Sequence, residues 1–280
     1  MAIRIVTDTT CDLPESIAKA HNVTIVPLKV IFGEKEYVEG VDITKEEFYQ
    51  KLEASEELPS TAQVNPEEFT AVFKKILDQG DEIIGVFIGS KLSGTYQSAF
   101  IAQTTLESDK ISLIDTETVA LAALQLVLTA IDMVDAGSSR TKIVSVLESI
   151  KRHARIYFTI DTLKYLKKGG RIKATAAAVA EVLNVKPILT VADGLVDSAS
   201  KARGLKKAFA EIGHLISHSG QTLDGKRVVI GHSHAKENLA LFKEWLSKNY
   251  APAEVIETEI GPVVGTHAGP GAVAVSFIEE

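Results

Sequence analysis

The sequence predicts an α/β protein of two domains, a parallel three-layer α/β/α domain followed by a mixed-sheet α/β domain. Three observations predict this class. Strand-like and helix-like runs alternate over residues 1–153, which is typical of a parallel sheet covered by helices on both faces. Strand-like runs outnumber helices over residues 154–280. Two of these runs are separated only by Ala192, Asp193 and Gly194, which favours an antiparallel hairpin. We therefore expect domains at 1–153 and 154–280.

The first domain opens with a strand. Apolar, mostly β-branched runs predict strands at 3–7, 23–30, 83–88 and 111–114. Pro66 followed by two glutamates is typical of a helix start. The apolar stretch 119–131 is interrupted by Gln125 and Thr129 and is too short to span a bilayer, so we expect a buried helix there. Helices are predicted at 14–20, 44–54, 66–77, 96–105 and 119–136.

A short helix over 141–153 leads into the second domain. Its predicted strands lie at 156–160, 187–191, 195–200, 227–231, 255–260 and 272–277. A helix is expected over 236–248, directly after the fourth of these strands. Antiparallel pairing within a region that also contains helices predicts a mixed sheet. Two domains imply a cleft between them, which is a usual place for a ligand.

Composition excludes several functions. The chain is 45% hydrophobic and 24% charged, as in a soluble globular protein. Cys11 is the single cysteine, so an intrachain disulfide is excluded and a reducing compartment is expected. Since the chain enters a strand at Ile3 with no signal peptide ahead of it, we expect a cytoplasmic location. The formal charge of −7 argues against general nucleic-acid binding.

Charge is unevenly distributed. Residues 164–207 carry ten basic and three acidic side chains, a local balance of +7. Such a run is often only a solvated face. A basic face on an acidic protein also suits an acidic partner or a bound phosphate.

The most informative motif is the segment 89–96, which follows a buried strand and precedes a helix. It contains Ser90, Ser93 and Thr95 around Gly94. Free backbone N–H groups and the positive end of the helix dipole meet at such a turn, so it predicts an anion-binding site. Ser and Thr are also ordinary helix caps, which would explain one of the three hydroxyls.

Further segments with small hydroxyl residues are expected at the same edge of the first sheet. They are residues 7–10, after the first strand, and residues 59–63, before the Pro66 helix. Ligands of parallel sheets bind outside the carboxyl ends of the strands. Near the C-terminus, four glycines and two prolines surround His267 in residues 261–271, which predicts a tightly shaped loop with His267 as a site donor. The chain lacks the GxxxxGK[ST], GxGxxG, HExxH and CxxC motifs, so neither a nucleotide site nor a metal site is predicted.

A second function remains open from the residues alone. Ser233 follows a strand and precedes a helix, the context of the nucleophile of a serine acyl hydrolase, with Ala235 in place of the second glycine. The remaining triad members would come from Glu257 or Glu259 and from His267. That spacing is cramped, so we regard this function as the weaker alternative.

The motifs together resemble those of the DegV family, the fatty-acid-binding subunits of bacterial fatty acid kinase and their relatives. The resemblance covers essentially the whole chain. It implies a DegV/dihydroxyacetone-kinase-like arrangement of the two domains. The motifs that carry it are residues 7–9, 59–63, 89–96, 166–172, 186–189 and 267–271.

The resemblance implies a carrier rather than an enzyme, with no catalytic residue, cofactor or metal of its own. One long-chain fatty acid, such as palmitate, would occupy a tunnel between the domains, and a separate ATP-dependent kinase subunit would phosphorylate its carboxylate. Transient contact with a membrane surface is compatible with this role in lipid metabolism. A lipid chaperone with no kinase partner is an alternative.

The resemblance also implies roles for individual residues. Thr61 and Ser93 would hold the carboxylate through their hydroxyls, His267 would contact it, and the amides of Gly94 and Thr95 would complete the site. Two basic residues, Arg171 and Arg203, would face the kinase partner or the phosphoryl group.

Two residues depart from the family pattern. Thr9 and Ala62 each stand where serine is common, which puts the lining of the site in doubt more than its function. The sequence offers many apolar residues for a tunnel, although the same residues would also make an ordinary core. They include Ala176–Val179, Val182, Leu183, Ile188 and Leu189.

Overall fold

The computed structural model describes residues 2–177 and 184–280. The strands are β1 (Ile3–Asp8), β2 (Thr24–Val26), β3 (Lys29–Phe32), β4 (Lys35–Val38), β5 (Ser60–Ala62), β6 (Glu82–Phe87), β7 (Ile111–Asp115), β8 (Ala154–Thr159), β9 (Val185–Ala192), β10 (Leu195–Arg203), β11 (Arg227–His232), β12 (Glu254–Glu259) and β13 (Val273–Ile278). The helices are α1 (Glu15–Ala20), α2 (Lys45–Ala54), α3 (Pro66–Leu77), α4 (Thr95–Leu106), α5 (Ala120–Asp135), α6 (Arg140–Ile150), α7 (Lys164–Gly169), α8 (Ala174–Ala177), α9 (Leu205–His218), α10 (Lys236–Asn249) and α11 (Pro262–Ala268).

The first sheet has the order β2-β1-β6-β7, and its strand pairs are parallel. This confirms the predicted parallel sheet. The carboxyl ends of β1 and β6, the two central strands, therefore lie side by side. Asp8 at the end of β1 and the segment after Phe87 at the end of β6 meet at this edge.

The predicted strand over 23–30 is wrong in its extent, because it is two strands in different sheets. Pro27 has no N–H group for a ladder hydrogen bond, and β2 ends before it. After Leu28 the chain forms β3, the central strand of an antiparallel sheet of order β4-β3-β5. Residues 60–62, expected in a turn, form β5, with Thr61 opposite Val30.

The second sheet has the order β10-β9-β8-β13-β11-β12. It is mixed, as predicted, because β11 and β12 pair in parallel and the other neighbours pair antiparallel. β9 and β10 form the predicted hairpin, in which Asp193 and Gly194 both have positive φ, at 56° and 77°. The first strand of this sheet in the chain, β8, begins at Ala154. The domain boundary expected between residues 153 and 154 stays a prediction.

Four of the described helices were not predicted, the short α7 and α8 and the longer α9 and α11. α9 covers one side of the second sheet, where Phe209 packs in the core with Phe242 of α10. The residues expected to form a loop around His267 contain α11, whose first residue is Pro262. Gly265 within α11 lies so close to α2 that an added Cβ would be 2.6 Å from the Tyr49 hydroxyl. Glycine has a low helix propensity, so this segment does not favour a helix by itself. The helix forms where glycine allows close packing against α2.

Helix α5 is buried, as the apolar stretch predicted, and it packs between the two main sheets. Its residues share one hydrophobic core with Ile84 and Val86 of β6 and with Ile156 and Ala274 of the second sheet. The space between the sheets is thus enclosed by α5 on one side. The candidate site opens into that space.

Candidate ligand-binding site

A cavity of about 1050 Å³, including the space at its mouth, lies between the two main sheets. This is within or just above the usual size of a small-molecule site. Its polar residues come from the segments that follow β1 and β6, from β5 and the residue after it, and from the ends of α7 and α11, and apolar residues make up the remaining wall. The polar lining consists of Thr10, Thr61, Gln63, Ser93, Arg171 and His267, with Gly94 among them.

The turn between β6 and α4 contributes Ser93 and Gly94 to the cavity. The Ser93 and Thr95 hydroxyls are 2.9 Å apart, and the Thr95 N–H donates to Ser93 Oγ over 3.3 Å. Thr95 itself is fully buried and lies outside the lining, so its amide orients Ser93 and is already engaged. An added Cβ on Gly94 would overlap the Gln63 carboxamide, so glycine allows β5 and α4 to approach here. Gln63 Nε2 in turn donates to Ser98 Oγ of α4 over 3.1 Å.

Thr61 and His267 meet across the mouth of the cavity. Thr61 Oγ1 on β5 lies 3.2 Å from His267 Nε2, in the last turn of α11. The other ring nitrogen, Nδ1, is buried and has no hydrogen-bond partner among residues 2–177 and 184–280. Burial lowers the pKa of His267 to about 4, and the nearby Arg171 charge adds to this. The imidazole is therefore neutral at pH 7, with one N–H donor and one acceptor nitrogen.

Asp8 is not in the cavity lining, but its hydrogen bonds hold together the segments that follow β1 and β6. Its carboxylate is buried and accepts hydrogen bonds from Thr10 N, from Thr10 Oγ1 and from Ile88 N, at 2.9, 2.5 and 2.9 Å. Burial raises the pKa of Asp8, while these hydrogen bonds oppose the shift. The carboxylate thus ties the end of β1 to the end of β6 and fixes the hydroxyl of Thr10 at the cavity wall.

Thr10 and Gln63 were not named among the site residues in advance. Both lie inside segments that the sequence singled out for their small polar residues, 7–10 and 59–63. The sequence could predict that these segments lie at strand ends. It could not predict which of their side chains line the cavity.

Arg171 lies in the lining and is partly engaged by backbone groups. Its Nε donates to Leu92 O over 3.0 Å and its Nη1 donates to Gly169 O over 2.6 Å. The side chain thus links the end of α7 to the turn that carries Ser93. Arg203 is exposed at the end of β10 and is not in the cavity lining. The roles expected of these two residues toward a kinase stay predictions.

The apolar wall is built from residues on both sides of the cavity, next to the first sheet and next to the second sheet. Ile188 and Leu189, expected for a tunnel, pack instead in two different cores, and Val191 and Val196 of the same hairpin line the cavity. Ala176 is also a core residue, and residues 178–183 lie outside the described part of the chain. The apolar lining residues are Leu28, Ile88, Leu92, Val119, Ala120, Leu121, Ile156, Phe158, Leu166, Val191, Val196, Ile260, Val263, Val264, Ala268, Ala272 and Ala274.

Ser233 has a structural role that argues against the hydrolase alternative. Its hydroxyl is buried, donates to Gly269 O over 2.6 Å and accepts from Ala272 N over 2.8 Å. These bonds join the end of β11 to the segment before β13. His267, the proposed base, has its Nε2 directed at Thr61 instead.

Two negative findings apply to the described residues. Within residues 2–177 and 184–280 there is no cluster of three or more His, Cys, Asp or Glu side chains suited to a metal ion. Over the same ranges, none of the helices combines the length and the apolar character needed to cross a membrane.

The fold and the cavity define a class: α/β proteins with a parallel sheet, a mixed sheet, and a cavity between them that has both polar and apolar lining. A family model described as an uncharacterised protein of the DegV family matches residues 2–280. This chain therefore belongs to the DegV family. The expectation drawn from the sequence motifs is confirmed.

Relatives and solved structures cover almost the full length of the chain. A DegV domain-containing protein of Caldanaerobacter subterraneus subsp. tengcongensis is 39% identical over 279 residues, 99% of each chain. A DegV family protein of Thermus thermophilus, described for its fatty acid binding, superposes with a TM-score of 0.92 at 32% identity and full coverage of both chains. A stearic acid-binding protein of Eubacterium ventriosum has a TM-score of 0.90 at 30% identity, with 100% of this chain and 98% of that chain covered.

Proposed function

We propose that this chain binds one long-chain fatty acid, with the carboxylate at the polar edge of the cavity and the acyl chain along the apolar wall. The observation that carries the proposal is the grouping of the polar lining: Thr61 contacts His267, Gln63 packs against Gly94, and Arg171 bonds the turn before Ser93, while most of the remaining lining is aliphatic or aromatic. The fatty acid binding described for the Thermus and Eubacterium proteins, which have the same fold, supports it.

The chemistry of the polar edge suits a carboxylate that must stay reactive. Thr61 and Ser93 would donate hydroxyl hydrogen bonds, the Gly94 amide would add a further donor, and the neutral His267 would donate from its N–H group. Hydrogen bonds from neutral donors hold a carboxylate less tightly than a bidentate arginine does. The hydroxyl of Ser93 would thus hold the ligand and not attack it.

Most of the affinity would come from the acyl chain. A chain of about 14 buried methylenes gains roughly 11 kcal/mol at ~0.8 kcal/mol each. Lost translational freedom and ordering cost several kcal/mol of that gain. The remainder corresponds to a micromolar or tighter complex.

We further propose that the chain presents the carboxylate to a separate ATP-dependent kinase subunit. In that step the bond between the β,γ-bridging oxygen and the γ-phosphorus of ATP breaks, a carboxylate oxygen bonds to the phosphorus, and ADP leaves. Two observations support the proposal: the polar lining is partly open to solvent, with Gln63 exposed and Thr61 and Ser93 half-buried, and the sequence lacks nucleotide-binding motifs. Arg171 would face the phosphoryl group, and the exposed Arg203 would contact the kinase.

Bound lipid tests the first proposal. The protein is purified from bacteria, extracted with organic solvent and analysed by mass spectrometry. We expect stoichiometric C14–C18 fatty acid in the parent protein and little in the Thr61→Ala, Ser93→Ala double variant. The matched control is Thr104→Ala, Ser149→Ala, which removes the same two residue types at exposed positions. Protein that emerges empty and does not take up added palmitate would refute fatty acid binding.

Acyl-phosphate formation with a fatty acid kinase subunit and ATP tests the second proposal. Arg203→Ala should retain bound lipid and lose kinase turnover, while the control Arg152→Ala, also at an exposed arginine, should retain both. Equal turnover in Arg203→Ala and the parent would contradict the role of Arg203. Lipid binding with no acyl phosphate formed by the parent would favour the chaperone alternative.

A further inference from the structure

A buried acidic pair lies at the opposite end of α11 from His267. Asp12 is 5% exposed and Glu39 is 6% exposed. Asp12 Oδ1 accepts a hydrogen bond from Gly261 N over 2.7 Å, and Glu39 Oε1 accepts a longer one from Val263 N over 3.4 Å. Pro262 between them has no N–H group, and the first N–H groups of a helix have no partner within it. The two carboxylates therefore supply acceptors for the start of α11.

The second oxygen of each carboxylate is unsatisfied. Asp12 Oδ2 and Glu39 Oε2 are buried and have no hydrogen-bond partner among the described residues. A buried oxygen of this kind is uncommon and requires an explanation. Both oxygens belong to residues that line a second cavity, of about 680 Å³ including the space at its mouth, together with Lys45.

Charge balance supplies the explanation. Lys45 lies near both carboxylates, and its ammonium group also donates to Glu259 O. The other titratable groups that face the pair are acidic: Asp8, the Cys11 thiol and the Tyr49 hydroxyl, on which the Glu259 carboxylate also acts. One ammonium does not balance two carboxylates. Burial is the main cause that raises the pKa of Asp12 to about 8 and that of Glu39 to about 7, so the pair retains a proton near neutral pH.

Helix α11 connects this pair to the ligand site mechanically. It has seven residues, and Gly261 and His267 are about 9 Å apart along its axis at 1.5 Å per residue. Its middle is held by the contact of Gly265 with Tyr49, and Tyr49 donates to Ile260 O over 3.0 Å. Because α11 has only two turns and moves as one unit about this contact, a displacement at Gly261 would tilt the helix and move the imidazole at its other end.

We infer that Asp12 and Glu39 are positioning residues for the carboxylate site, which fix the start of α11 and thereby the imidazole of His267 opposite Thr61. The inference rests on the proposed function. Loss of the retained proton at higher pH adds a second negative charge to a buried site with one lysine. The carboxylates then repel each other, and their hold on Gly261 and Val263 is weakened. Affinity for a fatty acid should therefore fall as the pH rises from about 6.5 to 9.

The test measures binding of a fluorescent long-chain fatty acid to the delipidated full chain at pH 6.5 and 9. The parent should bind several-fold more weakly at pH 9. The Asp12→Asn, Glu39→Gln variant keeps the acceptor oxygens and cannot ionise, so its affinity should be independent of pH. Asp12→Ala should weaken binding about tenfold at both pH values, since the hydrogen bond to Gly261 is lost. Asp81→Asn is the matched control, because Asp81 is a buried carboxylate beside Arg4 at the other end of the first sheet.

The imidazole ¹⁵N shifts of His267 in ligand-free protein give a readout that needs no fatty acid. They should move in Asp12→Ala and stay at the parent values in Asp81→Asn. If Asp12→Ala does not fold, Gly261→Ala replaces it. The Gly261 φ of −80° suits alanine, but the new Cβ would overlap Glu39 Oε1 and displace the start of α11.

Three outcomes would overturn the inference. They are a parent affinity that does not change with pH, a parent-like pH dependence in the Asp12→Asn, Glu39→Gln variant, and unmoved His267 shifts in Asp12→Ala. Failure of the parent to bind any fatty acid would instead overturn the proposed function, and the ligand-free shifts would still test the positioning role.

Discussion

Replacing Gly169 by alanine perturbs the imidazole of His267 without removing any group from the site. Gly169 is the last residue of α7, and an added Cβ would overlap His267 Nδ1 and lie 3.0 Å from its Cε1. Ordinary contact begins at about 3.4 Å, so the ring must retreat by several tenths of an ångström or more. The 3.2 Å contact between Nε2 and Thr61 is then broken or shifted.

The magnitude follows from the hydrogen bonds at stake. Displacing the imidazole costs one contact to Thr61 and one hydrogen bond to the ligand carboxylate. At about 1 kcal/mol for a neutral bond and somewhat more for a charged one, fatty acid affinity should fall by about 2 kcal/mol, or roughly 30-fold. Alanine is a better helix former than glycine by up to about 1 kcal/mol, which offsets part of the packing cost to the fold.

The assay compares affinity for a fluorescent fatty acid with the melting temperature in Gly169→Ala and in Lys168→Ala. Lys168 is the exposed neighbour of Gly169 in α7, so its substitution should leave both quantities near the parent values. We expect Gly169→Ala to lose affinity while its melting temperature changes little. An affinity within twofold of the parent would refute the placement of His267 at the carboxylate.

Two other predictions concern buried polar groups. Ser233→Ala should leave Gly269 O and Ala272 N unpaired, cost about 2 kcal/mol and lower the melting temperature by about 5 °C, with fatty acid still bound. Loss of bound lipid at an unchanged melting temperature would argue against this structural role. His267→Gln should alter the acid dependence of stability. Burial lowers the pKa of His267 to about 4, so the folded state binds fewer protons than the unfolded chain between pH 6.5 and 4. The free energy of unfolding therefore decreases as the pH is lowered from 6.5 to 4. The variant should lack that loss in urea titrations at pH 4.5 and 7, and an equal loss in both proteins would contradict the shifted pKa.

Much of the fold could be predicted because its signals are local. The runs that became β1, β6 and β7 are apolar and β-branched, and the apolar stretch before residue 131 became the buried α5. The Asp193–Gly194 turn was readable because few residue pairs tolerate positive φ at both positions. The segment 89–96 was readable because hydroxyl residues and a glycine follow a strand directly.

The errors arose where contacts between distant segments decide the structure. Thr61 became part of a strand because β5 pairs with β3, about 30 residues away in the chain. Ile188 and Val191 lie on opposite faces of β9, since side chains alternate along a strand. Apolar character alone could not say which of these two faces the cavity.

The sequence by itself determined the class of fold, the strand-to-helix turn at residues 89–96, and the membership in a family through motifs spread over the whole chain. Only the tertiary structure decided that Thr61 meets His267, that α11 forms in a glycine-rich segment, and that two buried carboxylates hold its first turn. The physical reason is the range of the forces involved. Strand, helix and turn preferences act between neighbours in the chain, whereas packing and burial here join residues 206 and 249 positions apart.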